Sequence, residues 1–136
     1  GPYNWIGIAI GRSGFQLCAV ISILSESAGY SEGELRAELV ITHERAAACF
    51  TWLYQQRPAI EAEFGEPLIW YSADGVKMKK VFVRRPAHLE DQAAWPELWQ
   101  WLIEKLERLH TVFQNRVKSL DIGSLPEAVD PTSSAE

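Results

Sequence analysis

A dense group of cations lies in the middle of the chain and is the strongest candidate for binding chemistry. It holds five of the thirteen Lys and Arg residues within nine positions: Lys77, Lys79, Lys80, Arg84 and Arg85. Since side chains alternate along a strand, Lys80 and Arg84 would lie on the face opposite the other three. Cations on a sheet edge, with Tyr71 just before them, are typical of a surface that follows a phosphate backbone. Lysines also protect edge strands from aggregation, so a purely protective role stays open.

A second candidate is the run Gly11-Arg12-Ser13-Gly14, whose two glycines bound a short polar segment. It is not a phosphate loop, because no Gly-Lys-Ser/Thr opens a helix. It is not a nucleophile elbow either, because that motif joins a strand to a helix with another glycine spacing. Two apolar strands meet here, so we expect a hairpin turn with glycines at positive φ. Arg12 at its tip remains a candidate for contacting an anion.

The acidic and histidine residues form no recognisable catalytic set. Restriction-type nucleases use Glu/Asp-x-Lys on a strand, and no lysine here has an acidic residue two positions before it. The segment His88-Leu89-Glu90-Asp91 resembles a metal or acid–base cluster, but acidic residues also suit the start of a helix, where Asp91 would be the N-cap. No His and Cys residues have zinc spacing. We therefore expect no catalytic residue, no metal and no cofactor.

The elements that must position these residues follow from hydrophobic periodicity. Period-two patterns predict five strands, over residues 5–10, 15–24, 35–41, 68–71 and 76–84. Helical spacing predicts a helix capped by Thr42, a short one ending near Phe64, and a long one that runs to about residue 120. The predicted fold class is α+β. It is a five-stranded, mostly antiparallel sheet in the order β-β-β-α-β-β-α, with the long C-terminal helix packed on one face.

The predicted sheet carries apolar residues on both faces. One face of the first strand holds Ile6, Ile8 and Ile10, which we expect to enter the core. The opposite face includes Trp5 and Val20 and is too apolar to be simply solvated. We therefore expect a partner domain or a second copy of the chain to cover the region around Trp5 and Val20.

The long helix carries an apolar stripe whose spacings alternate between four and three residues. We expect Trp95 and Trp99 to lie on this stripe and to face the core, and Trp101 to lie off it.

Composition indicates one globular domain. The chain has 136 residues, of which 47% are hydrophobic and 23% charged. No apolar run approaches the roughly 18 residues of a membrane helix. The net charge is −5, but residues 121–136 hold four acidic residues and no Lys or Arg. The rest of the chain is therefore nearly neutral, and its charge does not exclude an anionic partner.

These features predict the domain boundaries and the compartment. We expect a single α+β domain over residues 3–120 and a disordered acidic tail over residues 121–136, while Gly1-Pro2 is typical of the scar left by a tag-removing protease. Cys18 and Cys49 have no close spacing, so we expect buried free thiols in a reducing cytoplasm.

Three blocks of the chain together resemble a prokaryotic family catalogued as domain of unknown function 4268. They cover residues 5–17, around Ile10-Gly11-Arg12-Ser13-Gly14-Phe15, residues 53–70, and residues 95–113. Members of that family typically carry the domain at the C-terminal end, behind a domain that looks like a restriction-type nuclease. The resemblance therefore implies an accessory module of a nuclease-like protein, in defence or DNA processing. It transfers no catalytic residues.

Residues and resemblance together predict a non-catalytic interaction module that contacts nucleic acid through the basic hairpin and Arg12. The alternative is a protein–protein module that dimerises, or docks on an N-terminal nuclease-like domain, through the outer sheet face near Trp5 and Val20. A third hypothesis is a small-molecule sensor or enzyme, which would need a pocket that the sequence does not reveal.

Overall fold

The computed structural model describes residues 3–27 and 30–127. Five strands and three α-helices make up this part of the chain, in the order β1 (Tyr3–Ala9), β2 (Phe15–Ser27), β3 (Tyr30–Ile41), α1 (Ala46–Tyr54), α2 (Arg57–Phe64), β4 (Ile69–Tyr71), β5 (Lys79–Ala87) and α3 (Trp95–Ser119). Short 3-10 helices precede and follow α3, at Gln92–Ala94 and Ile122–Ser124. The predicted α+β class and order of elements are confirmed.

The five strands form one antiparallel sheet in the spatial order β1-β2-β3-β5-β4. The pairing defines two faces. One row across the sheet is Ile8-Leu17-Leu39-Val81-Trp70, and we call its side the helix-side face. The neighbouring row is Gly7-Cys18-Glu38-Phe82-Ile69, and we call its side the outer face. For residues 5–22, 33–41, 69–71 and 79–87, alternation then assigns each side chain to one of the two faces.

All three helices pack on the helix-side face, where the main core lies. Phe50 of α1, Phe64 of α2 and Phe113 of α3 are fully buried together with Leu39 and Val81 of the sheet. The turn from β1 to β2 has Gly14 at a φ of +89°, and a Cβ there would lie 2.7 Å from the Cβ of His43. Only glycine fits both the left-handed backbone and the close approach, which confirms the hairpin turn.

The predicted core contribution of β1 is wrong at two positions. Ile10 is buried, but Ile6 is 66% exposed and Ile8 is 40% exposed. The cause is the position of α3, which lies over β2 and β3. The helix layer leaves the edge strand β1 largely uncovered.

The tryptophans of α3 also differ from the prediction. The buried side of the helix runs through Leu98, Leu102 and Leu109. Trp95 and Trp99 are therefore exposed, by 41% and 45%, while Trp101 is half-buried against the core. The apolar stripe is wider than the buried side of the helix, and its leucines lie in the core while Trp95 and Trp99 lie outside it.

The predicted tail is wrong for residues 121–127. Ile122 is buried in the core, and Arg45 donates hydrogen bonds to the carbonyl oxygens of Ile122, Leu125 and Pro126 at 2.5, 2.8 and 3.2 Å. This segment therefore packs on the domain instead of leaving it. Residues 128–136 and the predicted scar Gly1-Pro2 lie outside the described residues.

Two helix caps were predicted. Thr42 does not cap α1, whose N-cap is Arg45 without a side-chain hydrogen bond. The Asp91 carboxylate accepts a hydrogen bond from the Ala93 N–H at 3.2 Å and so caps the 3-10 turn that leads into α3. In the described part of the chain, no helix combines the length and the apolar character needed to cross a membrane.

Candidate nucleic-acid interface

The outer face is the large surface of the fold that no described helix covers. Its centre is polar: Arg36 donates from Nε to Glu38 at 2.7 Å and from Nη1 to Glu34 at 2.6 Å. The Lys80 ammonium lies 3.6 Å from the second oxygen of Glu38. Burial opposes the charge of Arg36, but hydrogen bonds to Glu38 and Glu34 outweigh it and raise the pKa of the guanidinium. Both carboxylates are thus neutralised by cations beside them.

Glu38 is only 2% exposed although it lies on this uncovered face. Neighbouring side chains bury it, since Arg36 and Lys80 bind its two oxygens and Phe82 lies directly opposite on β5. Removing either cation would leave one oxygen of this buried carboxylate without its partner, which is costly. The ion network is therefore part of the folded sheet, and it leaves cationic groups at its rim.

Two depressions open on the outer face on either side of this network. The larger one, of about 330 Å³, extends from Trp5 on β1 to Lys80 on β5, and we call it the Trp5 groove. The smaller one, of about 210 Å³, lies between the network and Tyr71 on β4. Arg36, Glu38 and Lys80 line both. An aromatic side chain at each edge therefore flanks a charged ridge.

The five cations of the predicted basic hairpin lie in different parts of the fold. Lys80 and Arg84 lie on the outer face, as predicted, because they pair with Val40 and Arg36 of β3. The prediction that Lys79 contacts a ligand is wrong, because this residue is only 6% exposed. Its ammonium donates to the carbonyl oxygens of Val76 at 2.8 Å and Ala73 at 3.3 Å. The loop before β5 folds over this side chain and binds its charge.

The other two predicted cations lie outside the outer-face row. Lys77 is exposed but precedes β5, which begins at Lys79 and not at residue 76. Arg85 lies on the helix-side face opposite Leu35, and its Nε donates to the carbonyl oxygen of Pro86 at 3.2 Å. Lys77 and Arg84 make no ion pair with any described residue.

Arg12 has a structural role. Its guanidinium donates to the carbonyl oxygen of Val117 at 2.9 Å and to that of Leu120. These carbonyls belong to the C-terminal end of α3, where the helix dipole favours a positive charge. The hairpin turn therefore directs Arg12 into the fold, where it caps the long helix, and away from a ligand.

The two predicted interface residues behave differently. Trp5 is 54% exposed at the edge of the sheet. Val20 is buried in a small apolar cluster with Cys18 and Val40. This cluster forms the floor of the Trp5 groove, so Val20 would be reached only by a ligand that enters the groove.

Both cysteines are buried free thiols. Burial, together with the negative charge of Glu38, raises the pKa of Cys18 to about 11 against the opposing effect of Lys80. Burial raises the pKa of Cys49 as well. Neither is a reactive thiolate at neutral pH. Within residues 3–27 and 30–127, no three His, Cys, Asp or Glu side chains are grouped to hold a metal ion.

Sequence reasoning missed the ion network and the residues that line the groove. Part of the signal was available: Arg36 and Glu38 alternate along the predicted strand over residues 35–41, and Glu34 continues the alternation one residue before it. Opposite charges two residues apart on a strand point to a paired network. Met78, which lines the groove from the loop before β5, carries no comparable signal.

The fold and this surface define a small α+β module with one helix-covered and one open sheet face. Residues 1–117 match the family described as Domain of unknown function (DUF4268), so the chain belongs to that family. No curated protein and no solved structure matches the chain.

Proposed function

We propose that this domain is a non-catalytic accessory module of a prokaryotic nuclease-like protein, in defence or DNA processing, and that it contacts nucleic acid through its outer sheet face. The observation that carries the proposal is the order of groups across that face. Trp5 and Tyr71 lie at its two edges, and a ridge containing Arg36 and Lys80 lies between them. Proteins that bind single strands combine aromatic planes with cations on one surface in this way.

Local charge supports this proposal although the chain as a whole is acidic. In the part of the sheet formed by residues 3–22, 33–41, 69–71 and 79–87, the outer face carries three cations, Arg36, Lys80 and Arg84, and two carboxylates, both of which are bound to Arg36. Arg84 is exposed without an ionic partner among the described residues, and so is Lys77 in the loop before β5. The contact surface thus differs from the basic hairpin expected from the sequence, since Arg12 and Lys79 serve the fold.

The test is a matched pair of charge reversals. Arg84→Glu alters the outer face, and Lys118→Glu makes the same change at an exposed position of α3 on the helix side. Affinity for a fluorescent 12-nucleotide oligothymidylate is measured between about 50 and 200 mM salt, the range over which phosphate contacts weaken steeply. Arg84→Glu is expected to weaken binding and to lower the salt slope by about one, while Lys118→Glu leaves both unchanged. Equal effects of the two variants, or no binding by the unmodified chain, would contradict the proposal.

A second candidate function is a protein contact through β1. This edge strand has no charged residue, and it exposes Trp5 on one face and Ile6 and Ile8 on the other. Uncharged apolar edges are uncommon in isolated domains because they template strand addition. A second copy or a neighbouring domain of the parent protein would cover this edge.

Light scattering of the chain at increasing concentration, alone and with the preceding domain of its parent, tests this candidate. Ile6→Lys is the variant, because a charge at this exposed position disrupts strand addition without removing core contacts. Ile103→Lys on α3 is the control, since Ile103 is exposed to a similar extent away from the edge. A mass that Ile6→Lys lowers and Ile103→Lys does not supports the β1 contact. A monomer under all conditions would exclude it.

A further inference from the structure

We propose that the outer face is specific for single-stranded nucleic acid, with one nucleobase stacked on Trp5 in the Trp5 groove and the backbone phosphates on Arg36, Lys80 and Arg84. This inference rests on the proposed nucleic-acid contact and adds which form of nucleic acid binds and which side chain holds a base.

The position of the Trp5 ring makes it a stacking platform. A Cβ at Gly7, two residues along the same face of β1, would lie 3.3 Å from the Trp5 ring. Gln16 Oε1 is closer still to that position, at 2.8 Å, so the side chains of Trp5 and Gln16 both reach into the space left by the missing side chain at residue 7. Just over half of the Trp5 side chain is exposed to solvent. An indole that is more than half exposed beside a groove offers an aromatic surface on which a flat ring can stack.

The groove beside Trp5 has the character of a nucleobase pocket. Its floor is apolar, from Val20 and Val40, and Met78 lies at its open side. Gln16 lines the same groove and provides an amide that can donate and accept hydrogen bonds. Such a surface contacts the face of a base through apolar groups and makes few hydrogen bonds to the base edge, so it discriminates little between bases.

Charge lies along the row that starts at Trp5. The register places Trp5, Val20, Arg36 and Arg84 side by side across β1, β2, β3 and β5. Lys80 lies next to Tyr71 in the row four residues further on the same face. A strand whose base stacks on Trp5 thus passes Arg36 and Arg84 and reaches Tyr71 beside Lys80. The positive charge along this path is complementary to the negative charge of a nucleic-acid backbone.

The same geometry disfavours a duplex. Bases of a duplex are stacked on one another, so an aromatic side chain on a flat surface reaches them only in single strands or splayed ends. Reading the major groove requires a helix or a two-stranded ribbon that enters it. Every described helix packs on the opposite face of the sheet. The outer face is therefore suited to lie along a single strand.

The size of the site follows from the sheet. Trp5 and Tyr71 are four strand spacings apart across the sheet and four residues apart along it, which corresponds to about 23 Å. A fully stacked strand advances about 3.4 Å along its axis per nucleotide, so the path spans at most about seven nucleotides. Oligothymidylates of 3, 7 and 12 nucleotides are expected to show a steep gain in affinity between the first two and a small one between the last two.

The deciding experiment measures binding of the full chain to a 12-nucleotide oligothymidylate and to a 12-base-pair duplex. Trp5→Ala is compared with Trp99→Ala, which removes a similarly exposed tryptophan from the helix side, and Trp5→Phe keeps an aromatic plane. Trp5→Ala is expected to weaken single-strand binding about ten-fold, as loss of one stacked base does. It leaves the salt slope unchanged because no phosphate contact is lost. Trp5→Phe retains most of the affinity, Trp99→Ala retains all of it, and the duplex binds more weakly than the single strand.

The failures are distinguishable. If Arg84→Glu weakens binding while Trp5→Ala does not, or if the duplex binds as tightly as the single strand, this inference is wrong and the proposed nucleic-acid contact stands. If the unmodified chain binds neither probe, both are wrong. If Trp5→Ala changes the oligomeric state without changing single-strand binding, Trp5 belongs to a protein interface and this inference is overturned. A folded Trp5→Phe keeps the test valid if Trp5→Ala does not fold.

Discussion

The two faces of this sheet are built from the same strands, yet one is apolar and buried under helices while the other carries a network of charged side chains. On the helix-side face, Leu39 and Val81 are completely buried under three helices. On the outer face, the next residues along the same strands are Glu38 and Lys80, which form an ion network beside exposed aromatic side chains. The first face stabilises the fold by removing apolar area from water. The second retains charges at a cost in desolvation.

The cations of the chain divide in the same way. Arg12, Arg45 and Lys79 donate to backbone carbonyl oxygens at a helix end, in the C-terminal segment and in a loop. Arg84 and Lys77 have no ionic partner among the described residues. A cluster of cations in the sequence is therefore not itself a binding surface. Backbone carbonyl oxygens bind Arg12, Arg45 and Lys79, whereas Arg36, Lys80 and Arg84 lie on the outer face.

The largest expected effect comes from a matched pair of substitutions, one at a phenylalanine that packs on the helix-side face and one at a phenylalanine of the outer face. Phe50→Ala removes a fully buried ring that contacts Tyr54 and Trp70, and we expect a loss of about 3–5 kcal/mol in the free energy of unfolding. Phe82→Ala on the outer face should cost about half as much, because its space opens to solvent at the groove beside Tyr71. Urea unfolding measures both. Equal losses would show that something covers the outer face.

A second comparison sets Arg12 against Arg84. Arg12→Ala removes a charged donor from the C-terminal end of α3 and should lower the free energy of unfolding by about 2 kcal/mol. It should leave oligothymidylate binding unchanged. Arg84→Ala should do the reverse, with unchanged stability and weaker binding. Thermal unfolding measures the stability of the two variants, and fluorescence anisotropy measures their affinity for oligothymidylate. A loss of binding with Arg12→Ala would show that Arg12 contacts the nucleic acid.

The smallest expected effect concerns the floor of the outer face. Because burial and Glu38 raise the pKa of Cys18 to about 11 from an ordinary 9.0, folding keeps the thiol protonated. The free energy of unfolding is then unaffected below pH 8 and falls as the pH rises from about 9 towards 11, since the unfolded chain loses this proton first. Iodoacetamide at pH 8 should alkylate Cys18 slowly in the folded chain and quickly in urea. Rapid native alkylation, read by mass spectrometry, would show that the groove floor opens.

Much of the fold is predictable from the sequence. Alternation in residues 35–41 gives the side of each β3 residue, and the glycines at residues 11 and 14 give the hairpin. The exposure of Ile6 and Ile8 is not predictable in this way, because it depends on which strands α3 covers. A period-two pattern assigns two faces to a strand, but it does not show how far the helix layer extends.

The candidate site was less predictable for a related reason. The pattern correctly placed Lys80 and Arg84 on one face, but Lys79 is bound by the carbonyls of a loop whose path is a tertiary property. Likewise, Arg12 meets the end of a helix more than a hundred residues away in sequence. Local patterns place a charged residue on a face, whereas long-range contacts decide whether that charge is available.

The central claim is that the outer face, and not the helix side, contacts nucleic acid. The most direct measurement is amide chemical-shift mapping by NMR of the ¹⁵N-labelled chain during titration with a 12-nucleotide oligothymidylate. The account predicts shifts that concentrate at Trp5, Arg36, Lys80 and Arg84, with α3 from Leu109 to Lys118 unchanged. Shifts confined to α3, or no shifts at a concentration of oligonucleotide well above that of the protein, would contradict it.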